Sequence, residues 1–169
     1  MTALQKHCRY RQFDSPLGRL TLIAEDAFLR AILWSTQVAR IPLNAVAARQ
    51  DDALLNAAVD ELMTYFRGAS TTFRTPIAPL GTPFQQAVWQ QLQQIPYGET
   101  RSYKSIALAI GRPTAVRAVG TAIGKNPISI MIPCHRVIAS NGQLAGFAGG
   151  LAAKEVLLKT EGSWPYIKR

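Results

Sequence analysis

The sequence predicts an α+β chain of two units, a small N-terminal α/β unit over residues 1–79 and a mainly helical unit over 80–169 that carries a helix-turn-helix. Three observations predict it. Short apolar runs punctuated by turn residues occupy the first 40 positions. A Pro- and Gly-rich stretch from Thr75 to Pro83 reads as a linker. Beyond it, apolar residues recur at helical spacing in successive segments closed by Gly and Pro.

In the first unit, Tyr10 to Phe13 leads into Asp14-Ser15-Pro16-Leu17-Gly18, a turn by its composition. Leu20 to Ala24 continues as a strand, giving a hairpin, and Phe28 to Trp34 is a third strand. Residues 52–66 carry Leu55, Val59, Leu62 and Phe66 at helical spacing, and Gly68 ends that helix. No catalytic spacing occurs here, so this half reads as scaffold.

The second unit opens with Thr82 as N-cap and Pro83 at the first helical position. Phe84, Ala87, Val88, Leu92 and Ile95 form the apolar stripe of a helix over 83–95, stopped by Pro96-Tyr97-Gly98. Ser102 caps the next helix, whose face is Tyr103, Ile106, Ala107 and Ile110, with Gly111 at its end. Thr114 is the expected cap of a second short helix over 115–123, completing a helix-turn-helix. That second helix is small and apolar apart from Arg117 and Thr121, so it offers few groups for reading base edges. It suits close, sequence-blind approach to a minor groove, with Arg117 projecting. Gly124-Lys125-Asn126-Pro127 breaks the helix, and Ile128 to Pro133 reads as a buried strand. After Val137-Ile138 come a turn at Ser140-Asn141-Gly142, a glycine-rich loop over 146–150 and a last helix over 151–160. Leu151, Glu155 and Leu158 share a face there, which would point Glu155 inward, but Val156 and Leu157 are also apolar and leave the face loosely defined.

Composition bounds the function. The 169 residues are 48% hydrophobic and 17% charged, a globular balance with no run long enough to span a membrane. Met1 to Tyr10 is polar and basic, with no secretory h-region, and two cysteines make no disulfide framework. A reducing, cytoplasmic location is expected. Net charge is +9. Residues 83–169 hold ten Lys/Arg against three Asp/Glu, whereas residues 1–82 hold nine against seven. A polyanion, nucleic acid first, is therefore the expected partner of the second half.

The chemistry converges on Pro133-Cys134-His135-Arg136, which interrupts an apolar run. Proline halts the ladder and fixes φ ahead of the cysteine. A cysteine becomes a strong nucleophile only as thiolate, which needs a base or a positive setting. His135 is the available base, but neighbours in an extended segment face opposite ways, so it acts through a kink or a water. Glu155 is the expected third member of that relay. The four possible zinc ligands fall as adjacent pairs, His7-Cys8 and Cys134-His135, a spacing unlike structural zinc sites, so no metal is expected.

Together with Gly81-Thr82-Pro83-Phe84-Gln85, Trp89, Ile95-Pro96-Tyr97-Gly98-Glu99-Thr100, Tyr103, Arg117-Ala118-Val119-Gly120, Asn126-Pro127, Gly149-Gly150 and Lys154-Glu155, the Pro-Cys-His-Arg-Val segment resembles the O6-alkylguanine-DNA alkyltransferases, in family order across 81–162. The first 80 residues match more loosely, chiefly at Ser15-Pro16-Leu17-Gly18. The resemblance implies a ribonuclease-H-like N-terminal domain and a winged-helix-like C-terminal domain. It implies single-turnover repair of O6-alkylguanine and O4-alkylthymine, without a cofactor, in duplex DNA bound through the minor groove with the damaged nucleotide flipped out. It implies a monomer, able to gather along DNA and independent of membranes.

In that reading Cys134 accepts the alkyl group, His135 is its relayed base, Glu155 orients His135, and Tyr103 protonates the departing guanine. Arg117 fills the vacated stack, with Lys104, Thr114, Ala115 and Val116 as further DNA contacts. Asn126 is the hinge between recognition helix and reactive segment, and Ile123, Val137, Phe147, Ala148 and Gly149 line the pocket. Phe147 stands where some members have tyrosine, so no hydroxyl is expected there.

Overall fold

The computed structural model describes residues 8–164 and divides into two compact units, Met1–Leu80 and Gly81–Arg169. His7 and most of the polar N-terminal stretch lie outside the described residues.

The first unit is a four-stranded sheet with one helix. Strands β1 (Arg9–Ser15), β2 (Gly18–Glu25) and β3 (Phe28–Trp34) form an antiparallel meander, and β4 (Val46–Ala47) adds to β1 in parallel, giving the order β3-β2-β1-β4. The hairpin closes at Ser15↔Gly18, where Gly18 has φ of 101°, a conformation open to glycine and costly for a β-carbon. Central strand β2 is buried along Leu20 to Ala24, hence its unbroken apolar run rather than an alternation. Helix α1 (Ala53–Phe66) is capped by Asp52, whose carboxylate accepts from Leu55 N, and it packs on β1 to β3. Its buried stripe is Leu55, Ala58, Leu62 and Tyr65, so Val59 and Phe66 sit at the edge of the face expected for them. Cys8 is fully buried with Ile23, Ala31 and Leu33.

The second unit packs α2 (Pro83–Gln93), α3 (Tyr103–Ala109), α4 (Val116–Gly124) and α5 (Leu151–Thr160) around the cysteine segment. Thr82 and Gln85 form a reciprocal capping box that starts α2. Gly81 is required there, since an added β-carbon would sit 2.5 Å from the Trp89 ring. Trp89 in turn donates from Nε1 to Ala122 O at 2.9 Å, tying α2 to α4. Ser102 caps α3, and Gly111, with φ of 69°, turns the chain toward α4. Thr114 does not cap α4. Ala115 is the N-cap and makes no side-chain bond, because the tight turn that donates Ala115 N to Arg112 O leaves Thr114 one position too early. Two-residue strands β5 (Arg101–Ser102) and β6 (Val137–Ile138) pair in parallel beside the cysteine segment.

Residues 128–133 are not the strand expected from their apolar run. They fold back as a compact buried turn, with Ile132 N donating to Ile128 O at 3.0 Å and Met131 N to Ser129 O at 3.0 Å. Ile130 sits at φ of 76°, a genuine outlier for a β-branched residue. Burial without a sheet partner leaves peptide groups that no ladder satisfies. Asn126 satisfies two of them, donating from Nδ2 to Ile132 O at 2.9 Å and accepting from Ile128 N at 3.0 Å.

Candidate active site

Cys134 therefore emerges from a strained turn, not from a strand end, and it opens a single 3-10 turn over Cys134–Arg136. Cys134 N donates to Ile132 O at 2.7 Å, and Arg136 N to Pro133 O at 3.0 Å. All three side chains of the turn are buried. Burial pushes the Cys134 thiol up, while hydrogen bonds from the side chains of Asn126 and Ser129 and the positive charge of Lys154 pull it back. Asn126 thus shapes the turn and also favours the thiolate.

His135 is wholly buried, and burial holds its imidazole below the ordinary range despite a carboxylate partner. That partner is Glu161 and not Glu155. His135 Nε2 lies 2.8 Å from Glu161 Oε1, and the same carboxylate receives Arg136 Nε at 2.8 Å and Nη2 at 2.9 Å. Arg136 Nη1 also donates to Ile95 O at 2.6 Å. With Arg136 fixing Glu161 as an anion, Nε2 of neutral His135 is the donor, which makes Nδ1 the basic nitrogen.

Glu155 points away. Its carboxylate pairs with Lys159 at 2.7 Å one turn along α5, with its side chain 42% exposed. The buried stripe of α5 runs Ala153, Lys154, Leu157, Leu158 and on to Glu161, whereas Leu151 is exposed. The expected face was therefore rotated by about one residue, or 100°. Glu161 lies just past the helix, where Gly162 with φ of 71° turns the chain, so helical periodicity does not point to it.

Tyr103 stands on α3 with its hydroxyl 3.4 Å from Ala145 O, and burial together with the Cys134 charge raises its pKa. Phe147 presents its ring edge-on to His135, centroids 6.4 Å apart. Ile123 and Val137 are buried, while Ala148 and Gly149 are half-buried in the glycine loop. Lys154, a motif position to which the sequence assigns no role, is fully buried and donates from Nζ to Val137 O at 2.6 Å and Ala145 O at 2.7 Å. Arg117, Lys104 and Thr114 are exposed, with Ala115 and Val116 half-buried beside them. The structure thus assembles Cys134, His135, Asn126, Tyr103 and Phe147, and adds Ser129, Arg136, Lys154 and Glu161. Among the described residues, no three of His, Cys, Asp and Glu cluster as a metal site would require. No described helix is long and apolar enough to cross a membrane.

The chain is similar to known proteins in sequence and in fold. Residues 83–163 match the DNA-binding domain of 6-O-methylguanine DNA methyltransferase, and residues 8–79 match its ribonuclease-like domain. A methylated-DNA–protein-cysteine methyltransferase of Methanosarcina acetivorans is 44% identical over 91% of this chain and 98% of its own length. Its counterpart in Haemophilus influenzae is 42% identical, covering 100% of this chain and 92% of that protein. The crystal structure of Mycobacterium tuberculosis OGT in complex with DNA superposes with a TM-score of 0.85 at 45% identity, covering 92% of this chain and 93% of that one. With both of its units matched in order and close relatives spanned almost end to end, the chain belongs to the methylated-DNA–protein-cysteine methyltransferase family.

Proposed function

We propose that this protein repairs alkylated DNA by moving the alkyl group from O6 of guanine, and from O4 of thymine, irreversibly onto Cys134. The observation that carries this reading is the setting of Cys134: a thiol on a strained buried turn, pushed up by burial but countered by Asn126, Lys154 and Ser129, next to a buried His135 held by Glu161. A soft thiolate suits in-line attack on an alkyl carbon. The new bond joins Sγ to carbon, the carbon–O6 bond breaks, and its electron pair stays with guanine. The thiol proton passes through a water to Nδ1 of His135, whose Nε2–H is held by Glu161. The Tyr103 hydroxyl protonates the departing base, which lowers the charge that develops on it. A thioether is not readily hydrolysed, so each molecule acts once.

Access requires the base to leave the duplex. Exposed Arg117 on the small-residue helix α4 enters the minor groove and takes the place of the flipped nucleotide, with Lys104, Thr114, Ala115 and Val116 against the backbone. Ile123, Val137, Phe147, Ala148 and Gly149 wall the pocket, and Asn126 couples α4 to the reactive turn. The protein acts as a monomer, and its copies can gather on DNA.

The test mixes protein with duplex DNA carrying a radiolabelled methyl on guanine O6. Label reaches the protein in at most equimolar amount, and Cys134→Ser abolishes it. No transfer to wild type overturns the proposal; transfer that survives in the serine variant removes Cys134 from its role.

A further inference from the structure

A turn that the transfer chemistry above does not use meets the His135–Glu161–Arg136 cluster from outside. Ile95 to Gly98 closes α2, 63 residues before the end of α5. Four contacts join the two. Ile95 O accepts from Arg136 Nη1 at 2.6 Å. The Tyr97 hydroxyl donates to Thr160 O at 2.9 Å. The Tyr97 ring faces the Arg136 guanidinium, whose Cζ lies 5.8 Å from the ring centroid, within cation–π range. Gly98 N reaches Glu161 Oε2 in a long bond of 3.4 Å. Gly98, at φ of 79°, brings the chain so close that an added β-carbon would meet Glu161 O at 3.1 Å.

The place where Tyr97 attaches matters. The last four carbonyls of a helix lack intrahelical partners of the regular kind. In α5 the chain itself serves three of them: Leu157 O accepts from Glu161 N, Leu158 O from Ser163 N and Lys159 O from Gly162 N. Thr160 O is served by Tyr97, so the peptide that joins Thr160 to Glu161 is fixed by a side chain from another element. A desolvated ion pair is favourable only where its geometry is held well. Glu161 stands beyond the last helical residue, and its carboxylate must meet His135 Nε2 and two nitrogens of Arg136 at once.

We propose that Tyr97 is a positioning residue of the proton relay, one that holds Glu161 through the Thr160 carbonyl and Arg136 through its ring, and so keeps His135 aimed with Nδ1 toward its water. The proposal rests on the reading of Cys134 as acceptor and His135 as its base. Tyr97 touches neither of them and is only half-buried. Burial, and after it the Glu161 charge, raises its pKa, so the phenol stays a protonated donor.

The experiment replaces Tyr97 by Leu, which removes hydroxyl and ring together, and takes two readings. The first is the proton signal of His135 Nε2–H in nitrogen-15-labelled protein, made in a His7→Gln background so that one histidine remains. A buried imidazole N–H bonded to a carboxylate gives a far-downfield signal that exchanges slowly; in Tyr97→Leu it moves upfield and exchanges faster. The second is methyl transfer from duplex DNA in a single turnover. The saturating rate falls on the order of tenfold, part of the roughly 10²–10⁴-fold that a positioned base contributes, while the DNA concentration at half-saturation holds. Tyr97→Phe, which keeps the ring on Arg136, falls between Leu and wild type in both readings. A Tyr97→Leu protein that is folded by circular dichroism and keeps either the wild-type signal or the wild-type rate overturns the proposal, even if it is less stable. Should it not fold, Tyr97→Phe is judged by the same two readings. If the wild type accepts no methyl from DNA, a shifted Nε2–H signal still supports the hold on Glu161 and sinks the acceptor reading instead.

Discussion

Replacing Glu161 by Gln separates the two glutamates that compete for the role of His135's partner. The carboxylate of Glu161 is wholly buried and holds Arg136, itself only 7% exposed, by two bonds of 2.8 and 2.9 Å, with His135 Nε2 at 2.8 Å. Glutamine keeps one acceptor oxygen and turns the other into a donor that faces a guanidinium donor. Arg136 then remains charged and buried without an anion, which costs about 3–5 kcal/mol. Glu155→Gln breaks an exposed i,i+4 pair with Lys159 and costs about 0.3–0.5 kcal/mol. The two isosteric changes thus differ by roughly tenfold in effect. Urea denaturation followed through Trp89, with Trp34 and Trp164 replaced by Phe in both proteins, measures the unit that contains them. A loss below about 1 kcal/mol for Glu161→Gln would refute the buried-pair argument. So would a Glu155→Gln protein as destabilised as its counterpart.

Three further outcomes are expected. Gly81→Ala drives a β-carbon to 2.5 Å from the Trp89 ring and destabilises the second unit by about 1–3 kcal/mol; Gly120→Ala meets Tyr103 only at 3.8 Å and is tolerated or stabilising, and the same urea series ranks the two. His135 is held neutral by burial, so the unfolded chain takes up its proton first as pH falls. Its contribution to stability is complete above about pH 6.5 and is lost below it, and the slope of stability against pH in that acid window shrinks in a folded His135→Gln variant. Arg117→Ala slows repair of duplex more than reaction with free O6-alkylguanine, and duplex binding of the wild type weakens steeply with salt; equal losses on both substrates or a flat salt response would contradict the groove-entry role.

What could be read from the chain beforehand follows the range of the interactions involved. Thr82-Pro83 and Ser102 announce their helices because capping is settled within four residues. The hairpin at Asp14 to Gly18 is legible for the same reason. The apolar run 128–133 misleads because periodicity alone cannot tell a buried strand from a buried turn. What decides it is Asn126, whose amide supplies hydrogen bonds that a neighbouring strand would otherwise give. Strands β4 and β5 are two residues each and exist only through distant partners, Arg9-Tyr10 and Val137-Ile138. The sequence points to Glu155 where the structure has Glu161 because the helical phase is ambiguous. Leu158 is buried, but the stripe continues through Lys154 and Leu157, and a lysine reads as solvent-facing unless its burial is known. Arg136 was the missed signal: a guanidinium inside an apolar run needs an anion, and Glu161 is the carboxylate left over once Glu99 pairs with Arg101 and Glu155 with Lys159.

On the proposed function Cys134 is an acceptor used once, and the location of its neighbours accords with that. A turnover enzyme must release product and restore its base, which favours an open and solvated nucleophile. A protein consumed by its own reaction has neither requirement. Cys134, His135, Arg136, Lys154 and Glu161 can therefore belong to the core, and all five are buried. Burial removes competing water and strengthens the field of Lys154 and Arg136 on their partners. It also makes each of these residues part of the packing, so removing any one of them disturbs stability and reactivity together. Substitutions that preserve shape while changing charge, Glu161→Gln among them, separate the two better than truncations. A truncation that abolishes transfer shows only that the turn has lost its support, whereas a folded isosteric variant with altered thiol titration identifies the charge that acts on the sulfur.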